Sequence, residues 1–217
     1  MKIKGAIFDL DGTLLDSMYV WDTIGSEYLK KRGIIPEIDL DKKFKNKSLL
    51  QAAQYYQKQY DIKEPAEKIM DDINNMIEQF YFNEIKLKQG VYEILSSMKA
   101  HNIKMCIATA TDDYLVEAVL KRNKISEYFS EIFTCTKVGF GKNTPHIYEK
   151  ALAVLKTKKS ETIVFEDALY AIKTAKDAGF IVAGIFDKSE EQNYIKIKKI
   201  ANYTVDDWKS FKIQQFF

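Results

Sequence analysis

Ile3-Lys4-Gly5-Ala6-Ile7-Phe8-Asp9-Leu10-Asp11-Gly12-Thr13 is the stretch that decides the reading of this chain. Residues 3–8 have the apolar density of a buried strand, and they hand over directly to two carboxylates. Side chains alternate faces along a strand, so Asp9 and Asp11 can point the same way. Gly12 permits the sharp turn that ends the strand and leaves both acids in a shared mouth. Two neighbouring carboxylates resist ionising together, so one can attack as an anion while the other keeps a proton to donate. A bivalent cation would relieve the remaining repulsion and favour anionic oxygens there. Taken alone, the same letters are ordinary turn chemistry after a buried strand.

Further strand-like runs follow at residues 103–108, 131–134, 162–165 and 181–186, with a short last strand near 203–205. Helical patterns separate the later ones, at 91–100, 113–123, 145–155 and 168–178. Alternation of this kind predicts an α/β fold with a parallel sheet covered by helices on both faces. The first crossover breaks the scheme. From Asp16 to about Leu87 the pattern is entirely helical and far longer than a usual crossover. Met18, Trp21, Ile24 and Tyr28 fall on one helical face, and so do Leu49, Ala53 and Tyr56. Ile69, Ile73, Met76, Ile77 and Phe80 form a third such set. The expectation is a small helical bundle, residues 16–87, inserted into an α/β domain of residues 1–15 and 88–217. Asp16-Ser17 and Lys86-Leu87-Lys88-Gln89-Gly90 would be the linkers.

The 217 residues suit one large domain or a domain with a smaller insert, and 46% hydrophobic with 29% charged residues is an ordinary globular balance. Lys+Arg 33 against Asp+Glu 31 gives no global argument for a nucleic-acid or anionic-membrane partner. Cys106 and Cys135 read as reduced thiols rather than a disulfide or zinc framework. No apolar stretch approaches the roughly 20 residues of a membrane span. Asp9 and Asp11 come too early for a secretory apolar region to precede them. A cytoplasmic enzyme, monomeric by default, is the expectation.

Three further clusters stand at the ends of predicted strands. Ala108-Thr109-Ala110-Thr111 offers a hydroxyl and backbone N–H groups beside a helix start, which can hold phosphate oxygens; alone it reads as a cap. Gly139-Phe140-Gly141-Lys142-Asn143-Thr144-Pro145 frees the backbone and supplies a cation that could reach an anionic centre. Phe165-Glu166-Asp167 ends the next strand with an acidic pair able to bind a hard cation. Each cluster is weak alone. Their order along one edge of a parallel sheet is not, because ligand sites in such sheets lie at that edge.

This ordered set, with its helical insert, resembles the haloacid dehalogenase-like superfamily, in its branch with a small helical cap and β-phosphoglucomutase-like or phosphatase members. Asp9-Leu10-Asp11-Gly12-Thr13-Leu14, Gly141-Lys142-x-x-Pro145 and Glu166-Asp167 carry the resemblance. It implies a Rossmann-like sheet and a phosphatase of a small phosphorylated metabolite. Asp9 would be the nucleophile that becomes an aspartyl-phosphate, and Asp11 the acid and then the base. Mg²⁺ would be held by Asp9, the backbone carbonyl of Asp11 and Asp167, with Glu166 in or near the shell. Thr109, Ala110 and Lys142 would hold the phosphoryl group. Asp16 and the turn near Gly90 would be hinges.

The chain departs from its apparent relatives in several places. Ala168 and Ala171 replace a serine and a glycine frequent after the acidic pair, which removes a hydroxyl beside the metal site. The mutases of this branch carry a cap histidine where this chain has Trp21. They also carry a cap arginine for the far phosphate, for which only Arg32 is at hand, and a lysine where Asp112-Asp113 stands. A phosphomutase is therefore the lesser reading. A phosphonate hydrolase would need a cap lysine, for which Lys43, Lys45 or Lys47 are the candidates; they equally fit a basic segment that attracts an anionic substrate. A binding protein with a vestigial site is disfavoured by the intact acids. Trp21 and the Lys43–Lys47 segment are the expected determinants of specificity.

Overall fold

The computed structural model describes residues 2–44 and 49–216. In chain order the regular elements are β1 (Gly5–Phe8), β2 (Leu15–Asp16), α1 (Met18–Lys31), α2 (Leu40–Phe44), α3 (Leu49–Gln59), α4 (Ala66–Asn83) and β3 (Lys86–Leu87). There follow α5 (Val91–Ala100), β4 (Lys104–Thr109), α6 (Asp113–Arg122), β5 (Glu131–Thr134), α7 (Cys135–Val138), α8 (His146–Leu155) and β6 (Thr162–Glu166). The last are α9 (Leu169–Asp177), β7 (Ile181–Ile185), α10 (Glu191–Ile200) and β8 (Tyr203–Val205). The chain divides into two compact units, Met1–Asp16 with Ile85–Phe217, and Ser17–Glu84.

The larger unit holds a six-stranded sheet in the order β5-β4-β1-β6-β7-β8, and every paired neighbour runs parallel. All residues of β1, β6 and β7 are buried, as expected of central strands covered on both faces. Alternation sorts the two cores. Ile7, Cys106 and Val164 join Tyr148, Ala151 and Ile172 of α8 and α9 in one cluster. Phe8 and Phe165 face the other way and stack at 4.6 Å, with Trp208 at 5.3 Å from the Phe165 ring. Burying each such ring contributes about 2–3 kcal/mol. Register then sets the site: Phe8 lies opposite both Ile107 and Phe165, so the residues just past all three strands share one edge.

The linkers expected at residues 16–17 and 86–90 are partly regular. Leu15 pairs with Leu87 and Asp16 with Lys86 in an antiparallel two-stranded ribbon. Gly90 then starts α5 with φ +91, where a β-carbon would meet the Lys209 nitrogen at 2.7 Å, so only glycine fits.

In the smaller unit α1, α3 and α4 bury Val20, Tyr28, Leu29, Ala53, Tyr56, Ile69 and Ile73. Tyr56 donates to the Gly25 carbonyl at 2.9 Å, and a β-carbon at Gly25 would stand 3.0 Å from that hydroxyl. The buried stripe of α1 is rotated from the one expected: Trp21 is 41% exposed, and its indole N–H donates to the Tyr81 hydroxyl at 3.2 Å. Among the described residues no helix is long and apolar enough to cross a membrane.

Candidate active site

The site is assembled from four strand ends. Asp9 follows β1 directly, its N–H donating to the Phe165 carbonyl at 2.9 Å, which locks it beside the end of β6. Gly12 has φ +78, and the turn closes when the Leu14 and Leu15 amides donate to the Leu10 carbonyl, each at 2.9 Å. The Trp208 indole donates to the Thr13 carbonyl at 2.9 Å and pins the far side of that turn. Asp11 lies on the turn, half-buried, while Asp9 is buried.

Lys142 comes from the loop between α7 and α8, whose Pro145 stands at the α8 N-cap. That loop carries the side chain inward until it is only 4% exposed. Its ammonium donates to Asp9 Oδ1 and, at 2.8 Å, to Glu166 Oε2. Burial opposes that charge, but the carboxylates of Asp9 and Glu166 outweigh it and hold the ammonium well above the usual lysine range. Glu166 ends β6, where burial first and the Asp9 charge second push its carboxyl up to about 7. Burial, then Asp9 and Glu166, push Asp167 well above the carboxylate range too.

Asp9, Glu166 and Asp167 each offer a carboxylate oxygen, all within 4.8 Å of one another. With Lys142 these three carboxylates leave a net charge of −2 when all are ionised. An all-oxygen donor set with that deficit fits a hard divalent cation. The Asp11 side chain is not in this cluster; it accepts from the Thr111 hydroxyl at 2.5 Å.

Thr109 is buried at the end of β4 and Ala110 is exposed just beyond it. Thr109 Oγ1 accepts the Thr111 N–H at 3.1 Å, and an oxygen that accepts there can still donate its own proton. The structure thus brings Asp9, Asp11, Thr109, Lys142, Glu166 and Asp167 to one sheet edge. In the smaller unit, Lys43 is exposed and pairs with Glu37 at 2.7 Å. Lys45 and Lys47 lie outside the described residues.

Hydroxyls not singled out from the sequence complete the site. Thr13 donates to Asp167 Oδ1 and buried Tyr148 donates to Glu166 Oε2, each at 3.3 Å. The Ala168 amide donates to Glu166 Oε1 at 3.4 Å. The acidic pair therefore keeps hydroxyl partners although Ala168 itself brings none. Tyr148 sits three residues past Pro145 on the sheet-facing side of α8, and a buried phenol on an apolar face needs a partner. That need calls for a partner but does not say which one.

A family model described as haloacid dehalogenase-like hydrolase matches residues 6–185. A phosphorylated carbohydrates phosphatase of Thermotoga maritima is 25% identical over 177 residues, spanning 82% of this chain and 82% of its own. Pyrophosphatase PpaX of Bacillus cereus is 24% identical over 212 residues, 92% of this chain and 90% of its own. Among solved structures, a HAD hydrolase of family IA, variant 3, from Entamoeba histolytica superposes with a TM-score of 0.79. It is 26% identical, and the match covers 99% of this chain and 97% of that one.

Proposed function

Because this chain belongs to the haloacid dehalogenase-like hydrolase family, we propose that it is a Mg²⁺-dependent phosphatase of a small soluble phosphomonoester, working through an aspartyl-phosphate on Asp9. The observation that carries this reading is the buried Lys142 ammonium held between Asp9 and Glu166, with Asp167 alongside. A surface loop has no reason to bury a lysine against three acids. A site that must receive an anionic phosphoryl group and keep its nucleophile ionised does.

Asp9 attacks phosphorus, forming an O–P bond as the bond to the leaving oxygen breaks, while Asp11 passes its proton to that oxygen. Asp11 then takes a proton from water, the water oxygen bonds phosphorus, and Asp9 is released. Lys142 orients Asp9 and offsets charge on the transferring oxygens, which the Thr109 hydroxyl and Ala110 N–H receive. Mg²⁺ held by Asp9, Glu166, Asp167 and the Asp11 carbonyl would neutralise the two anions that must meet.

The smaller unit supports a phosphatase over a phosphomutase. Its Arg32 bonds Glu64 and, at 2.9 Å, Asp72, and its guanidinium lies 4.7 Å over the Tyr28 ring. A guanidinium so engaged is neutralised before any second phosphate arrives. Asp112, at the N-cap of α6, adds negative charge at the sheet edge, while Asp113 beside it is ion-paired with Lys137 at 2.9 Å. Lys43 is a poor Schiff-base nucleophile, because its hydrogen bond to Glu37 stabilises the ammonium. A monomer in the cytoplasm, free of nucleic acid and membrane, belongs to the same proposal.

The test is phosphate release from a panel of sugar phosphates, phosphoglycolate, nucleotides and pyrophosphate, with Mg²⁺ and with EDTA, for wild type and Asp9→Asn. Activity that needs both the metal and Asp9 supports the reading, and the best substrate defines the class. Silence across the panel from folded, Mg²⁺-binding protein overturns it.

A further inference from the structure

Thr111 stands outside the acid cluster and has no role in the chemistry above, yet it touches two residues that do, Asp11 and Thr109. Its hydroxyl donates to Asp11 Oδ2 at 2.5 Å across 100 residues of sequence. Its amide donates to Thr109 Oγ1 at 3.1 Å. The residue is 8% exposed, two positions past the end of β4, the strand that pairs with β1. A threonine in a loop ordinarily turns its hydroxyl to water or to its own backbone. This one spans the gap between neighbouring strand ends.

We propose that Thr111 is the positioning residue for proton transfer by Asp11, an assignment that rests on the phosphatase reading. Its hydroxyl occupies Oδ2, so the transferable proton of the acid form is carried by Oδ1, and the carboxyl is held against rotation at its half-buried position on the turn. The amide fills an acceptor position of Thr109 Oγ1, which turns the Thr109 proton away from Thr111 and toward an incoming phosphoryl oxygen. One residue, through its amide and its hydroxyl, thereby links the group that grips the phosphoryl oxygens to the group that protonates the leaving oxygen.

The assignment has a signature that structural damage lacks. An alkyl phosphate needs a proton on its leaving oxygen as the P–O bond breaks, whereas p-nitrophenolate departs unaided. Thr111→Val keeps shape and amide but removes the hydroxyl. Expected is a kcat/KM about 10-fold lower on the best alkyl phosphate and within about twofold of wild type on p-nitrophenyl phosphate. That ratio reports only the steps through loss of the leaving group, before Asp11 acts as base on the aspartyl-phosphate common to both esters. Thr111→Ser should restore the alkyl rate. Thr111→Ala should reproduce the split and serves where valine lowers the folded fraction. Equal losses of kcat/KM on both esters, no loss on the alkyl phosphate, or failure of serine to rescue would overturn the assignment while leaving the phosphatase intact. A wild type silent on both esters would overturn the phosphatase reading and this assignment with it.

Discussion

Lys142 donates its ammonium to Asp9 Oδ1 although 133 residues separate them, and both side chains are almost wholly shielded from water. A buried ion pair of this kind is weak evidence of stability by itself, because desolvation offsets the attraction. Removing one partner is a different matter. Lys142→Met would leave Asp9 and Glu166 buried without a counter-charge, which costs about 3–5 kcal/mol in metal-free protein. Urea denaturation checks this together with phosphate release, which should be lost. An unchanged midpoint would mean the lysine is not worth what its burial implies.

The raised carboxyls set a pH dependence with a definite sign. Glu166, at about 7 folded against 4.5 ordinarily, holds a proton in the folded chain that the unfolded chain has released. Metal-free stability therefore falls as pH rises through that window, by roughly 3 kcal/mol from this group alone. A bound cation takes the place of that proton, so Mg²⁺ should raise the melting temperature more at about pH 8 than at about pH 5. Thermal denaturation with and without Mg²⁺ at both values checks it. An equal shift at the two would contradict the carboxylate site.

Arg32 is expected to hold the smaller unit together rather than bind substrate. Its side chain is 26% exposed and its ion pairs are partly screened, so Arg32→Met should cost about 1–2 kcal/mol, part of it from the Tyr28 contact. The kcat/KM for a monophosphate should stay within about twofold. A stable variant with kcat/KM reduced more than about tenfold would mean that Arg32 grips a phosphate instead.

Phe165 joins the sheet to the site. It stacks on Phe8 behind Asp9 and packs on Trp208, whose indole holds the Thr13 carbonyl. Phe165→Leu should cost about 1–2 kcal/mol in a urea titration and loosen the turn that carries Asp11. The kcat/KM on alkyl phosphates should fall more than the kcat/KM on p-nitrophenyl phosphate. An equal fall would place the damage elsewhere.

The sheet was legible because its central strands are continuous apolar runs, and β5 and β8 match residues 131–134 and 203–205. α10 escaped notice because Glu191–Ile200 buries only Tyr194 and Ile197, too few anchors for a clear period. The ribbon of β2 and β3 was unreadable for another reason: its strands are two residues each and 70 residues apart, so neither carries a pattern. In the site, Asp9, Lys142, Glu166 and Asp167 could be named because each stands at or beyond the end of a strand along one edge. Thr111, Thr13 and Tyr148 could not, since which hydroxyl reaches which carboxylate depends on register between distant segments. Trp21 shows the limit of periodicity, which sets a helical face but not which part of that face the neighbouring helices cover.

The most direct test of Asp9 as nucleophile is acid quench of the enzyme turning over a radiolabelled phosphoester with Mg²⁺, followed by peptide mapping. Label on the peptide containing Asp9, released by hydroxylamine and absent from Asp9→Asn, is the expected result. Metal-dependent phosphate release with no protein-bound label, undiminished in Asp9→Asn, would contradict it.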